Sequence, residues 1–99
     1  MRLTKTIDFE VADHDAPEEM TWADAMAYAA ALGDGWRLPT KEELNLIYEN
    51  KDKIGGLSDD WYWTSTEYTN GYAWLQSFRV GSQDVIAKYH LLSVRCVRR

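Results

Sequence analysis

The stretch Gly35-Trp36-Arg37-Leu38-Pro39-Thr40-Lys41-Glu42-Glu43-Leu44 combines a turn, an aromatic anchor and a helix start. Thr40 and Glu43 have the Thr-x-x-Glu spacing of a capping box, in which the hydroxyl and the carboxylate each bind a backbone N–H that the first helical turn leaves without a partner. The spacing therefore predicts that a helix begins at about Thr40. This stretch indicates a fold far more clearly than it indicates a function.

Two helices are predicted around this stretch. Thr21 can cap the earlier one, with Asp24 three residues further on, and Gly33 offers its C-terminal stop. The later helix should run from about residue 41 to residue 50 or 53, and Gly55-Gly56 ends it.

Beyond Asp59-Asp60 the apolar residues alternate with polar ones, which is typical of strands. Four candidate strands follow one another: Trp61 to Tyr68, Tyr72 to Val80, Val85 to Tyr89 and Val94 to Arg98. Asn70-Gly71 and Gly81-Ser82 lie in the gaps, and both dipeptides tolerate the backbone angles of tight hairpin turns. The pattern predicts an antiparallel meander.

The N-terminal residues Leu3, Ile7, Phe9 and Val11 alternate in the same way and predict a first strand. The order strand, helix, helix, strands indicates an α+β fold with two helices packed on an antiparallel sheet, in which the N-terminal strand can pair with the C-terminal one. Ninety-nine residues are enough for one domain with a single core, so we expect one domain over residues 1–99.

The formal net charge is −5, which argues against a general nucleic-acid-binding protein. The charges are unevenly placed: acids dominate residues 8–24 and bases dominate residues 88–99. Either the two segments pair with each other or with solvent, or they form opposite patches for a head-to-tail or partner contact.

Cys96 is the single cysteine, so neither an internal disulfide nor a structural zinc site is expected, and its sequence context indicates a small buried strand residue. Asp59-Asp60 and Asp84 could bind a cation only weakly, and neither a metal site nor a cofactor is expected. The chain as given shows neither an apolar signal-peptide segment nor a membrane-spanning run, so we expect a cytoplasmic protein without membrane insertion.

The chain resembles a bacterial and phage domain family with a C-type lectin-like fold, typified by the C-terminal domain of the Legionella collagen-like protein. Five elements carry the resemblance, in the expected order: Met20-Thr21-Trp22-Ala23-Asp24-Ala25, Gly35-Trp36-Arg37-Leu38-Pro39-Thr40, Tyr62-Trp63-Thr64-Ser65-Thr66, Ala73-Trp74 with Phe78 and Gly81, and Val94-Arg95-Cys96-Val97-Arg98. The resemblance implies a rigid scaffold that binds sugars, polyanions or proteins through a sheet face and loops, frequently as a trimer.

Two activities of the wider fold do not match these residues. Calcium-dependent lectins use a Glu-Pro-Asn or Gln-Pro-Asp loop and a Trp-Asn-Asp strand, and none of these tripeptides is present. The formylglycine-generating enzymes share the Arg-Leu-Pro-Thr element but need a reactive cysteine pair or a thiol-bound metal, whereas Cys96 is alone. No serine lies in a nucleophile elbow, and His14 and His90 lie in different contexts.

The aromatic residues are the better guide to a binding surface, because Tyr and Trp dominate the energetics of many interfaces. We assign core roles to the large apolar residues Trp22, Trp36, Trp63 and Phe78. Tyr62 should face away from Trp61 and Trp63 on its strand, and the hairpin tip should be solvent-exposed. Ligand contacts are therefore predicted at Tyr62, Tyr68, Asn70, Tyr72 and Trp74. Alternatively, these aromatics shield a small core or a subunit interface.

The leading hypothesis is a non-enzymatic recognition module, phage or bacterial in origin, that binds a protein or glycan through its late strands and hairpin. The alternative is a small structural or assembly protein of a virion whose aromatic surface is buried in a homo-oligomer such as a trimer. An enzyme is the third hypothesis.

Overall fold

The computed structural model describes residues 7–99. Its elements, in chain order, are β1 (Glu10–Val11), α1 (Trp22–Ala31), α2 (Lys41–Glu49), α3 (Lys51–Ile54), β2 (Trp61–Thr69), β3 (Tyr72–Ser77), β4 (Gln83–Ala87) and β5 (Val97–Arg98). The strands form two antiparallel sheets, one of β1 and β5 and one in the order β2-β3-β4. The predicted α+β class, with helices packed on antiparallel sheet, is confirmed.

Helix α1 begins and ends where the sequence predicts. Thr21 Oγ1 accepts a hydrogen bond of 3.3 Å from the backbone N–H of Asp24, and Gly33, with a φ of 72°, lies just beyond the last turn. Ala25 and Ala29 lie one turn apart and are buried. Their small side chains let the helix pack closely against the sheet.

Helix α2 begins with the predicted capping box. Thr40 Oγ1 accepts a hydrogen bond of 3.1 Å from the Glu43 N–H, and Glu43 Oε1 accepts one of 2.9 Å from the Thr40 N–H. The Arg37 guanidinium also donates two hydrogen bonds to the Glu43 carboxylate, at 2.7 and 2.9 Å. These bonds, led by those from Arg37, lower the pKa of Glu43, although its partial burial acts in the opposite direction.

The sequence predicts that this helix ends at residue 50 or at residue 53, and the structure has a break near the first position and a helix end near the second. At Asn50 the backbone leaves helical geometry, with φ −112° and ψ 16°, and its side-chain amide donates a 2.8 Å hydrogen bond to the Leu46 carbonyl. The chain then continues as the short helix α3, and Gly55, with φ 77°, ends it.

The meander is shorter than predicted. The hairpin at Asn70-Gly71 joins β2 to β3 as expected, with Thr69 and Tyr72 paired beside the turn. However, the predicted fourth strand from Val94 to Arg98 does not join β4. The preceding residue Ser93 instead lies parallel to the outer edge of β2, bonded to the backbone of Trp61 and Trp63. The C-terminal segment thus passes beyond β2, and β4 is left as an edge strand.

The pairing of the N-terminal and C-terminal strands is confirmed, with Glu10 opposite Arg98 and Val11 opposite Val97. Within residues 7–99 the first strand begins only at Glu10, although Phe9 just before it is buried. Leu3, which belonged to the predicted strand, lies outside the described residues.

The core consists of two clusters on opposite faces of the three-stranded sheet. Trp63 belongs to the cluster packed against α1, whereas Phe78 belongs to the cluster packed against α2. Both are buried as predicted. Trp22 and Trp36 are only half-buried and pack against the first cluster from its rim.

The acidic and basic segments pair within the molecule, in agreement with the first of the two interpretations above. Arg95 Nε donates a 2.8 Å hydrogen bond to Asp15 Oδ1, and Arg98 Nε donates one of 2.8 Å to Glu10 Oε1. Arg95 is buried, so its contact with Asp15 is a different kind of interaction from the exposed pair at Arg98.

We predict that Glu43→Ala lowers the free energy of unfolding by roughly 1–2 kcal/mol, because it removes the reciprocal cap and the Arg37 contact. The neighbouring Glu42→Ala, at an exposed position of the same helical turn, should stay within about 0.5 kcal/mol of the wild type. Urea unfolding at neutral pH measures both values. Equal losses in the two variants would contradict this role of the capping box.

The lowered pKa of Glu43 adds a pH dependence. Its contribution to stability should be fully present above the ordinary value of 4.5 and should be lost as the pH falls through the folded-state pKa. Urea unfolding across the acidic range should therefore show a smaller acid-induced loss in Glu43→Ala than in the wild type. An equal decrease in the free energy of unfolding with falling pH in the two proteins would contradict this contribution of Glu43.

Candidate functional site

The hairpin between β2 and β3 presents two tyrosines to solvent. Tyr68 lies before the turn with 60% of its surface exposed, and Tyr72 lies just after it with 47% exposed. The tight turn at Asn70-Gly71 joins the two strands, with Thr69 opposite Tyr72, and the register of β2 shifts between Glu67 and Thr69, where Tyr68 lies. Both rings are therefore displayed by paired strands and not by a loose loop.

Trp74 extends this surface along β3. As alternate residues of one strand, Tyr72 and Trp74 share a sheet face. The Tyr68 ring meets the Trp74 ring edge-on with 6.1 Å between ring centroids, and Lys41 Nζ lies 3.6 Å from the centroid of the Trp74 ring. These two contacts fix the half-buried indole between the hairpin and the first turn of α2.

Lys88 binds both Asn70 at the turn and the neighbouring Glu67. Lys88 Nζ donates hydrogen bonds to the Asn70 carbonyl at 2.8 Å and to Glu67 Oε2 at 2.5 Å. The same ammonium lies 4.2 Å from the centroid of the Trp22 ring. One lysine thus connects the turn to the rim of the core. We call Tyr68, Asn70, Tyr72 and Trp74 the hairpin surface.

Tyr62 does not belong to the hairpin surface, and its prediction as a surface contact is wrong. It faces away from Trp63 as expected, but that face is covered by the α2 cluster, and Tyr62 is fully buried. Its ring packs at 4.6 Å from that of Phe78, and its hydroxyl donates a 2.6 Å hydrogen bond to Asp15 Oδ2. Alternation along β2 correctly places Tyr62 and Trp63 on opposite faces of the sheet. It does not show that a core cluster covers each of these faces.

A polar cleft borders the hairpin surface on the α2 side. It has a volume of about 430 Å³ and is lined by Lys41, Glu42, Asn45, Leu46 and Gln83. Gln83 Nε2 donates a 2.7 Å hydrogen bond to the Lys41 carbonyl, and this bond holds β4 against α2. Sequence analysis missed the pairing of Lys41 with Gln83, because the two residues are 42 positions apart and no local pattern links them.

The thiol of Cys96 is buried, as predicted. Burial raises its pKa to about 11, so the thiol is protonated at neutral pH. His90 stacks on Tyr89 with 4.6 Å between ring centroids. Within residues 7–99, no group of three or more His, Cys, Asp or Glu side chains could hold a metal ion. No helix in this range is long and apolar enough to cross a bilayer.

The helices packed on antiparallel sheets, the paired terminal strands and the long hairpin define a C-type lectin-like domain. The model of the Lcl C-terminal domain family matches residues 4–98, and the chain belongs to this family.

A comparison with solved structures supports the fold. A chain from the complex of the von Willebrand factor mutant (I546V) A1 domain with botrocetin superposes with a TM-score of 0.61 at 15% sequence identity. The match covers 96% of this chain and 98% of that chain. The comparison with curated proteins finds no match.

We predict that Tyr62→Phe costs roughly 1–3 kcal/mol of unfolding free energy, because it removes the donor to Asp15 and the acceptor of the Ser58 N–H. Tyr72→Phe changes an exposed hydroxyl and should stay within about 0.5 kcal/mol. Burial, with the hydrogen bond to Asp15, raises the pKa of Tyr62 from 10.0 to about 12, so its contribution should be lost as the pH rises through that range. Urea unfolding at neutral and alkaline pH tests this, and a Tyr62→Phe loss as small as that of Tyr72→Phe would contradict it.

We also predict that Cys96 in the native protein does not react with a thiol reagent at neutral pH, because it is 3% exposed and its pKa is raised. Full labelling should appear only after unfolding in guanidinium. Stoichiometric labelling under native conditions, with unchanged circular dichroism, would show that the thiol is accessible.

Proposed function

We propose that this domain is a non-enzymatic recognition module that binds a protein or a glycan through the hairpin surface. The observation that carries the proposal is the exposure of Tyr68 and Tyr72 beside Trp74, on the paired strands β2 and β3. Exposed tyrosines grouped on one rigid element are more typical of a binding surface than of a solvated one.

The hairpin surface requires little ordering when a ligand binds. Lys41 and Tyr68 already hold the Trp74 indole, and Lys88 holds the turn through the Asn70 carbonyl. Tyr and Trp rings have only two side-chain torsions to fix. Binding energy from the buried rings is therefore not spent on ordering the loop.

The polar cleft supports a glycan as well as a protein ligand. Lys41, Glu42 and Asn45 line the cleft with an ammonium, a carboxylate and an amide, and Lys41 lies against the Trp74 ring of the hairpin surface. Rings next to hydrogen-bonding groups are suited both to stacking on a sugar and to polar contacts at a protein interface.

The state of Cys96 is compatible with a binding role. Burial keeps Cys96 protonated, and His90 stacks on Tyr89 and lies in a different part of the sequence from His14. The structural neighbour comes from a complex of the von Willebrand factor A1 domain with botrocetin. This supports the proposal of a protein ligand for the same fold.

Binding should depend on the hairpin tyrosines. We predict that Tyr68→Ala and Tyr72→Ala each weaken ligand binding roughly tenfold or more, because each removes an exposed ring from the centre of the surface. Val80→Ala, which changes an exposed side chain beyond the other end of β3, should bind as the wild type does. Light scattering after size-exclusion chromatography, with host lysate and then with the purified ligand, gives the complexes, and titration gives their affinities.

Three outcomes separate the hypotheses. A monomer of 11.5 kDa that forms a complex lost in Tyr68→Ala and Tyr72→Ala supports the proposal. Complexes unaffected by these two changes would show that the binding site lies elsewhere on the domain. A stable homo-oligomer that captures nothing and dissociates in Tyr72→Ala would instead support the structural or assembly protein.

A further inference from the structure

A second groove opens on the sheet face that carries Trp63, opposite to the face of the hairpin surface. It has a volume of about 270 Å³ and is lined by Trp61, Leu75, Asp84, Val85, Ile86 and Leu92. The sheet register explains the grouping, because Trp63 pairs with Leu75 and Leu75 pairs with Asp84. Trp61 and Ile86 are two residues from Trp63 and Asp84 on their strands, so Trp61, Leu75, Asp84 and Ile86 share one face.

The groove is already formed in the free protein. Its floor residues Leu75 and Leu92 belong to the first core cluster and are nearly fully buried. Trp61 forms a wall with 40% of its surface exposed, and its carbonyl accepts a 3.1 Å hydrogen bond from the Ser93 N–H. A side chain entering the groove would meet apolar surface on the floor and an indole at the side.

Asp84 adds one oriented negative charge. Its Oδ1 accepts a 2.8 Å hydrogen bond from the Val85 N–H, and Asp84 takes part in none of the ion pairs found among residues 7–99. Asp15, Glu10, Glu43 and Glu67, by contrast, each contact an arginine or lysine of this chain. The carboxylate beside the apolar groove thus lacks a cation from the described part of the molecule.

We infer that this groove binds an arginine or lysine side chain of a partner protein. The aliphatic stem lies on Leu75, Ile86 and Leu92, and the cationic head lies between the Trp61 ring and the Asp84 carboxylate. A volume of about 270 Å³ is below the roughly 300 Å³ at which pockets for whole small ligands begin, so one side chain is the fitting occupant. The net charge of −5 also favours a cationic partner surface.

The inference can be tested without knowing the partner. N-acetyl-arginine amide and its neutral isostere, N-acetyl-citrulline amide, are titrated separately into the ¹⁵N-labelled full chain, and NMR follows the Trp61 indole N–H and the Asp84 and Ile86 amides. We expect saturable, millimolar-range shifts with the arginine probe, and binding of the citrulline probe weaker by roughly threefold or more.

Two variants provide the matched comparison. Asp84→Asn removes the charge but keeps an oxygen that can accept the Val85 N–H, so it should reduce arginine binding to the citrulline level. Asp59→Asn removes a charge at an exposed position that does not line the groove and should leave binding unchanged. Equal weakening by the two variants would show a general effect of net charge and overturn the inference.

The remaining outcomes are also decisive. Equal shifts with the arginine and citrulline probes, or stronger ones with N-acetyl-leucine amide, would show an apolar pocket without preference for a cation. No saturable shift at the groove residues would rule out a cation-binding pocket. Because the hairpin surface lies on the other face, Tyr72→Ala should leave arginine binding intact, and failure of one proposal does not imply failure of the other.

Discussion

The buried Arg95 guanidinium is the interaction on which the assembly of the chain depends. It donates hydrogen bonds to Asp15 Oδ1, to the Ala12 carbonyl and to the Gly56 carbonyl, at 2.8 to 2.9 Å. The other Asp15 oxygen accepts the Tyr62 hydroxyl. Breaking a buried pair of this kind by removing one partner typically costs about 3–5 kcal/mol. The N-terminal segment, the loop after α3, β2 and the C-terminal segment therefore meet at the Arg95–Asp15 pair.

This network also explains why residue 56 is a glycine. Gly56 has a φ of 73°, and a Cβ at this position would lie 3.3 Å from Arg95 Nη2. The loop can approach the guanidinium because the side chain is absent and the backbone can adopt the left-handed region. The glycine pair that ends the helical region in the sequence thus has a second role in the fold, which is to place a carbonyl against Arg95.

The sequence predicts what depends on near neighbours. The capping box joins residues three positions apart, and the hairpin turn depends on two adjacent residues. The start of α2 and the β2–β3 connection are therefore predicted correctly. Asp15 is the partner of both Tyr62 and Arg95. It lies 47 positions from Tyr62 and 80 positions from Arg95 in the sequence. No local pattern contains such a contact. The sequence therefore predicts a surface position for Tyr62 and a meander that includes the last strand, whereas the structure buries Tyr62 and ends the meander at β4.

The contact between the Asp84 carboxylate and the Val85 N–H has a consequence for association. β4 is an edge strand, and an unpaired edge can pair with a strand of another molecule and start an extended sheet. Alternation along the antiparallel pair with β3 directs the backbone groups of Val85 outward, and the Asp84 side chain binds that N–H. A charged side chain thus protects the edge against polymerisation, and the sheet can present its faces to other molecules without adding further strands.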